Sequence, residues 1–179
     1  MRVGVSVCED AWSNTGPLYD LSDGGAEVIV NLNASPSHRD KLTERESLLQ
    51  TRASDADSII VYANLVGGQD ELVFDGASLV FDAEGRLVAR AAQFEEQVLV
   101  VDLPIPQLRP RRIGPQPDGR LAVVPVTPAR AAPTTAVTSQ LVTEPLEPLE
   151  EVWEALVLGT RDYVGKNGFS EVVIGMSGG

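Results

Sequence analysis

The sequence contains a single cysteine, Cys8, and a single histidine, His38, in 179 residues. One cysteine excludes an intrachain disulfide and a cysteine-rich zinc site, and one histidine adds too few ligands for a structural metal site. We therefore expect no bound metal and treat Cys8 as a free thiol.

Positive charge is also scarce, with 14 lysines and arginines against 26 acidic residues and a formal net charge of −12. Such a surface repels a phosphate backbone, so we expect no nucleic-acid partner, although a small-molecule site can locally have the opposite sign. No apolar run approaches the roughly 20 residues that span a bilayer, and the first residues lack a signal-peptide pattern. We expect a cytoplasmic protein without a membrane partner.

The remaining composition, 43% hydrophobic and 22% charged, is ordinary for a globular protein. Helical spacing of apolar residues predicts a helix from Leu42 to about Asp57. Alternating or continuous apolar runs predict strands at 2–7, 27–33, 58–64 and 97–103, and a hairpin of 77–81 with 86–91. Together these elements predict an α/β layered domain up to about residue 103.

Ten of the twelve prolines lie between Pro104 and Pro148. Because proline lacks the amide proton that helices and ladders need, we predict an extended, mobile linker over residues 104–143. Its arginines could form a basic patch, but a solvated linker is the favoured interpretation.

A different pattern follows the proline-rich segment. Thr143 is a candidate cap for a helix that ends at Gly168. Apolar or small residues share one face of this helix: Leu149, Trp153, Leu156, Thr160 and Tyr163. Residues 171–174 then predict a strand, and residues 175–179 predict a glycine-rich loop.

Cys8 lies where a predicted strand meets a polar turn, a place that can hold a thiol out into a site. A free thiol is mostly protonated at neutral pH, so a nucleophilic cysteine needs a base or a positive neighbour. His38 is the one imidazole that could form a dyad with it. On the residues alone, a buried and inert cysteine is the better interpretation.

Three sequence motifs change that balance. Residues 4–12 (GVSVCEDAW) resemble the nucleophile strand of the glutamine amidohydrolase branch of the nitrilase superfamily. Residues 31–36 (NLNASP) and 67–78 (GGQDELVFDGAS) are similar, in order and spacing, to the glutaminase domain of glutamine-dependent NAD synthetases. The three motifs together make the resemblance specific.

The resemblance implies part of an α/β/β/α sandwich and a role for each matched residue. Cys8 would attack the side-chain amide carbon of glutamine, release ammonia and form a thioester that water hydrolyses. Glu9 and Trp12 would line the glutamine pocket, and Ser35 would hold the amino-acid end of the substrate. Lys41 fits a contact with the α-carboxylate, or it is a surface lysine heading a helix, and the two interpretations stay open. Residues 74–76 are interpreted as a structural turn.

In this family a glutamate base and an oxyanion-binding lysine precede the cysteine. The seven residues before Cys8 contain neither, and each such group contributes a rate factor of about 10²–10⁴. We therefore expect the chain alone to be inactive. We also expect half a sandwich to be marginally stable or to associate, because it leaves sheet edges and apolar faces bare.

The last three residues, Ser177, Gly178 and Gly179, form a second candidate site. They resemble the opening of the Ser-Gly-Gly-x-Asp-Ser loop of N-type ATP pyrophosphatases, whose backbone amides bind pyrophosphate. The implied domains are the C-terminal half of a glutaminase domain over 1–103, a linker over 104–143 and the truncated start of an ATP-binding domain over 144–179.

The implied function is that of a fragment of a glutamine-hydrolysing NAD synthase, which converts deamido-NAD to NAD with ATP and glutamine-derived ammonia. The fragment itself would bind no cofactor, whereas the complete enzyme would use ATP and Mg²⁺ and form a homo-oligomer. Two alternatives remain. One is a fragment of another nitrilase-superfamily amidase or carbamoylase. The other is a non-catalytic module, whose cysteine would react with alkylators no faster than free cysteine.

Overall fold

The computed structural model describes residues 1–105, 121–126 and 141–178. The strands are β1 (Val3–Val7), β2 (Val28–Asn33), β3 (Ile59–Asn64), β4 (Val66–Gln69), β5 (Leu72–Asp75), β6 (Leu79–Phe81) and β7 (Leu87–Arg90). The helices are α1 (Pro17–Asp23), α2 (Lys41–Ala56) and α3 (Pro148–Lys166), and a 3₁₀ turn spans Cys8–Ala11. The predicted α/β class, the α2 helix and the hairpin of β6 with β7 are confirmed.

Five strands form one sheet in the order β1-β2-β3-β6-β7. The first three run parallel, with Val30 of β2 opposite Val5 and Val61. β6 and β7 are antiparallel to their neighbours, and β4 pairs with β5 in a separate hairpin. Because β1, β2 and β3 are parallel, their carboxyl ends lie at one edge of the sheet.

Each face of the sheet has its own apolar cluster. On one face, Leu49 and Ala53 of α2 pack with Ile60 and Leu79 of the sheet. On the other face, buried Val28, Ile59, Val80 and Ala89 are covered by part of the segment after β7, through Leu99, Val101, Leu103 and Ile105. The prediction of a strand at 97–103 was therefore wrong about pairing. Its alternate side chains cover the face of the sheet, and the segment forms no ladder with it.

The second face is bare at the β1 edge. Val3, Val5 and Val7 are 51%, 61% and 59% exposed, although Gly4 and Ser6 between them are buried. This alternation places the three valines on one side of an edge strand without a covering layer among the described residues. An exposed apolar edge of this kind favours association.

Beneath α2 lies a completely buried ion pair between Arg45 and Asp75. The guanidinium donates through Nη1 and Nη2 to the two carboxylate oxygens, at 3.1 and 3.0 Å, and neither side chain has any exposed surface. The pair joins α2 to the end of β5. The interpretation of residues 74–76 as structural agrees with this geometry.

Helix α3 packs on the β4–β5 hairpin. Asp162 accepts a hydrogen bond from the Gly68 amide at 2.8 Å, and Lys166 donates to the Gly68 carbonyl at 2.6 Å. A Cβ added at Gly68 would lie 3.0 Å from the Cα of Gly159, so the helix and the strand touch backbone to backbone. The apolar face predicted for this helix points away from the contact, with Leu149 83% exposed.

Two predictions near α3 were wrong. The helix begins at Pro148 with Glu147 as its cap, because the segment from Leu141 to Thr143 pairs through its backbone with Arg90 and is not at a helix start. Residues 171–174 are exposed and form no strand, since no neighbouring strand among the described residues pairs with them.

The mobility predicted for residues 104–143 concerns mainly 106–120 and 127–140, which lie outside the described residues. In the described part of the chain, no helix combines the length and apolarity that a membrane span requires.

Removing the carboxylate of Asp75 is expected to destabilise the fold strongly. Asp75→Ala leaves the Arg45 guanidinium buried without its counter-ion, which typically costs about 3–5 kcal/mol. Urea unfolding followed by circular dichroism measures the loss. Arg86→Ala is the matched control, because Arg86 is 73% exposed in its pair with Asp82 and exposed pairs contribute little. Equal midpoint shifts for the two variants would contradict the importance of the buried pair.

A methyl group at Gly68 is expected to displace α3. Gly68→Ala forces an overpacked contact with Gly159, a change that typically costs about 1–3 kcal/mol, and hydrogen exchange of the α3 amides should accelerate. Gly165→Ala is the control, because a Cβ there meets nothing within 4 Å. Unchanged exchange in Gly68→Ala would show that α3 does not rest on this contact.

Candidate active site

Polar residues collect where the three parallel strands end. Cys8 directly follows β1, Ser35 follows β2 by two residues, and Asn64 is the last residue of β3. Ser35 is buried, and its amide donates to the Asn64 side-chain oxygen at 2.9 Å. The carboxyl edge of a parallel sheet is where α/β proteins place their binding sites, and this edge carries the one thiol of the chain.

Cys8 is held in a strained backbone conformation. Its φ of 46° lies in the left-handed region, which costs a residue with a side chain about 1–3 kcal/mol and persists only where the surroundings impose it. The Val7 amide donates to Oδ2 of Asp10 at 2.8 Å, and the Trp12 amide donates to the Glu9 carbonyl at 2.9 Å. These bonds hold a sharp turn of the backbone at Cys8, which is half-buried.

Helix α2 anchors the far end of the same turn. Arg52 donates from Nε to the Ala11 carbonyl at 3.0 Å and from Nη2 to the Trp12 carbonyl at 3.1 Å. Its third donor, Nη1, contacts the Tyr19 hydroxyl at 3.2 Å. The guanidinium is buried, so the turn is fixed from within the fold.

Lys41, the first residue of α2, faces the aromatic ring that follows the Cys8 turn. Its Nζ lies 3.8 Å from the centroid of the Trp12 ring and donates to Oε2 of Glu44 at 2.9 Å. The lysine side chain is only 15% exposed, so its ammonium lies against the ring. Lys41 also lowers the pKa of Glu44 through its hydrogen bond and its charge, with a smaller effect of His38.

The hypothesis of a Cys8–His38 dyad receives no support from the geometry. One ring nitrogen of His38 contacts the Arg39 carbonyl at 2.9 Å, and the other lies 3.8 Å from Glu44. The imidazole therefore belongs to the exposed rim near Lys41.

Tyr62, on β3, is buried within electrostatic reach of Cys8, and its ring centroid lies 5.6 Å from the guanidinium carbon of Arg45. Burial raises the pKa of Tyr62, and negative charge on Cys8 and Asp75 raises it further, while Arg45 and the Ser35 side chain oppose the rise. The Ser35 side chain thus favours the ionised form of Tyr62, but the Tyr62 hydroxyl has no hydrogen-bond partner among the described residues. The buried Tyr62 hydroxyl thus keeps hydrogen-bonding capacity next to Cys8 and Ser35.

Several residues of this group were missed in the sequence. Asn31 donates to the Ser6 hydroxyl at 2.8 Å across β1 and β2, and Arg45, Arg52, Tyr62 and Asn64 were not singled out. One signal was available, because amides recur inside apolar strands at Asn31-Leu32-Asn33 and at Asn64, and buried amides need partners. The roles of the two arginines depend on residues distant in the chain.

The other predicted positions are exposed or lie outside the described residues. Glu9 extends its side chain toward solvent. Ser177 and Gly178 are exposed, outside any helix or strand, and a Cβ on Gly178 would meet nothing within 4 Å. Gly179 lies outside the described residues.

Comparison with known proteins identifies a family for the part of the chain that contains the sheet and Cys8. The profile of the Carbon-nitrogen hydrolase family matches residues 1–113, a range that contains the whole sheet and the residues around Cys8. The chain belongs to this family. Individual proteins similar to this chain narrow the comparison further.

The glutamine-dependent NAD(+) synthetase of Aquifex aeolicus is 43% identical over 182 residues, which cover 99% of this chain and 32% of the relative. That of Thermotoga maritima is 42% identical over 187 residues, with 100% and 32% covered. The solved structure of the Acinetobacter baumannii synthetase, in complex with ADP, superposes with a TM-score of 0.67 at 32% identity, covering 95% of this chain and 27% of that one. This carbon-nitrogen hydrolase chain thus spans about a third of the length of the curated relatives it matches.

Proposed function

We propose that the chain functions as part of a glutamine-hydrolysing NAD(+) synthase, with Cys8 as the nucleophile of its glutaminase site. The observation that carries the proposal is the strained Cys8 turn at the carboxyl edge of the sheet, next to buried Ser35 and the Lys41–Trp12 contact. The identity of the relatives over the whole chain supports the same assignment.

The proposed chemistry is acyl transfer through sulfur. The Cys8 thiolate adds to the side-chain amide carbon of glutamine, and the tetrahedral adduct collapses as its nitrogen, protonated, leaves as ammonia. Water then attacks the thioester, releasing glutamate and regenerating the thiol. Resemblance to the family assigns the proton-accepting glutamate and the oxyanion-binding lysine to positions that precede the cysteine in the chain.

We assign recognition of the amino-acid end of glutamine to Lys41 and Ser35. The Lys41 ammonium suits the α-carboxylate, and it is already held against the Trp12 ring, so little side-chain freedom is lost on binding. Glu44 accepts a hydrogen bond from the same ammonium at 2.9 Å. Ser35 hydrogen-bonds the substrate from the inner wall, and Glu9 lines the outer rim of the pocket.

The second half of the reaction belongs to other parts of the complete protein. We assign residues 1–103 to the C-terminal half of the glutaminase domain, 104–143 to a linker and 144–179 to the start of the ATP-binding domain, where Ser177, Gly178 and Gly179 would contact pyrophosphate. There ATP would activate deamido-NAD, and ammonia would displace AMP. The complete protein is proposed to be cytoplasmic, to use Mg²⁺ with ATP and to be a homo-oligomer.

A chimera tests the glutaminase assignment. This chain replaces the aligned stretch of the Aquifex aeolicus relative, which supplies the remaining segments, and the product is treated with a diazoketone analogue of L-glutamine. We expect one covalent adduct on Cys8, found by peptide mass spectrometry, and protection by glutamine, because the thiol and the glutamine pocket are adjacent. Cys8→Ser should abolish both the adduct and glutamine hydrolysis.

Two outcomes of this experiment oppose the proposal. A folded chimera whose Cys8 stays unlabelled would favour the non-catalytic interpretation. Faster hydrolysis of a simple aliphatic amide than of glutamine would favour the amidase alternative.

Loss of the Lys41 charge should weaken substrate binding specifically. Lys41→Met in the chimera removes a charge-assisted hydrogen bond of about 1.5–3 kcal/mol, so KM for glutamine should rise roughly 10–100-fold with a much smaller change in kcat. Steady-state kinetics measure both constants. Lys166→Met, which removes the ammonium bound to Gly68, serves as the control. An unchanged KM in Lys41→Met would identify Lys41 as a surface lysine.

A further inference from the structure

Helix α2 buries two arginines, and they bind different kinds of partner. Arg45 faces the Asp75 carboxylate in a two-pronged ion pair. Arg52, two turns later, directs two of its donors to the backbone carbonyls of Ala11 and Trp12. Among the described residues, Arg52 has no carboxylate in ion-pair contact. The Tyr19 hydroxyl, which accepts from Arg52, in turn donates to exposed Asp55 at 3.3 Å.

A guanidinium buried without a carboxylate is costly, because it loses its hydration and gains no counter-ion. The Ala11 carbonyl is likewise buried and needs a donor. Arg52 meets this need with two parallel N–H groups on consecutive carbonyls, a geometry that the planar guanidinium provides and a lysine ammonium does not. The arrangement stabilises one conformation of one short turn.

That turn begins with the strained Cys8 and ends at Trp12. A left-handed cysteine relaxes unless both ends of its turn are fixed. Asp10 fixes the first end through the Val7 amide at 2.8 Å, and Arg52 fixes the second. The ring of Trp12, the last residue of the turn, meets Lys41 at 3.8 Å.

We propose that Arg52 is a positioning residue for acyl transfer at Cys8, holding the Cys8–Trp12 turn in its reactive conformation without touching the substrate. This inference rests on the proposed glutaminase function. It adds a residue that acts from the helix behind the turn, through two main-chain carbonyls.

The kinetic test uses Arg52→Lys and Arg52→Ala in the chimera. Misplacing a nucleophile by about 1 Å costs a rate factor of about 10², so kcat for glutamine hydrolysis should fall about 100-fold in both variants, with KM changing far less. Added guanidinium chloride, below denaturing concentrations, should restore part of kcat in Arg52→Ala but none in Arg52→Lys. Equal sodium chloride should restore neither, and Arg86→Ala, an exposed arginine, is the matched control.

A second measurement on the chain itself is independent of glutamine hydrolysis. Without Arg52, hydrogen exchange of the Trp12 and Ser13 amides, both bonded to the Glu9 carbonyl, should accelerate, while exchange of Ile60 in the centre of the sheet stays the same. Faster exchange at all three sites would indicate general destabilisation and overturn the inference.

The kinetic measurements can also overturn the inference. Wild-type-like kcat in both variants, within about threefold, overturns the positioning role. So does a loss of kcat that follows the folded fraction and does not respond to guanidinium. An unmodified chimera that cannot hydrolyse glutamine refutes the proposed function instead, and the exchange measurement then still decides whether Arg52 holds the turn.

Discussion

Packing of α2 across the sheet is the constraint on which the candidate site depends. One face of this helix carries Lys41, Arg45 and Arg52, spaced so that each reaches a different structure at the carboxyl edge. Lys41 meets the Trp12 ring, Arg45 the end of β5, and Arg52 the turn after β1. Apolar contacts between Leu49 and the sheet set the height of the helix, and hence the positions of all three cations.

Three cationic side chains lie on one helix beside the site, although the chain as a whole is acidic. A protein with a net charge of −12 gathers three cationic side chains along one helix, beside a thiol that must carry a negative charge to react. Each of these cations is largely buried and held by specific partners, so salt screens them less than it screens surface charge. Glu44 and Asp75 balance the charges of Lys41 and Arg45, whereas Arg52 is held by backbone carbonyls and the Tyr19 hydroxyl.

Periodicity and local motifs were enough to predict the parallel strands, α2 and the position of Cys8 at a strand end. They failed where tertiary contacts decide the outcome. Residues 97–103 alternate as a strand does, yet their apolar side chains pack on the face of the sheet and the backbone forms no ladder. Thr143 has the chemistry of a helix cap, but pairing with Arg90 takes its amide, and the helix begins five residues later.

The residues of the candidate site could likewise be predicted only in part. Cys8 and Lys41 were singled out through the resemblance of the surrounding motifs to a known family, since the residues alone favoured an inert cysteine. The arginines could not be predicted, since the partner of Arg45 is 30 residues away and that of Arg52 is about 40 away. In the sequence both look like ordinary polar positions on a helix. Only packing reveals that they are buried and what they hold.

The contact between Gly68 and Gly159 has a consequence for how such sequences can vary. The two positions are 91 residues apart in the chain, yet a Cβ at Gly68 would lie 3.0 Å from the Cα of Gly159. A larger residue at Gly68 therefore requires α3 to move away from β4. A Cβ at Gly159 would meet the Val73 side chain of β5 at 3.1 Å, so this position is limited by the same hairpin. Substitutions at these two sites are therefore coupled through space, and the region after the proline-rich segment does not drift independently of the hydrolase fold.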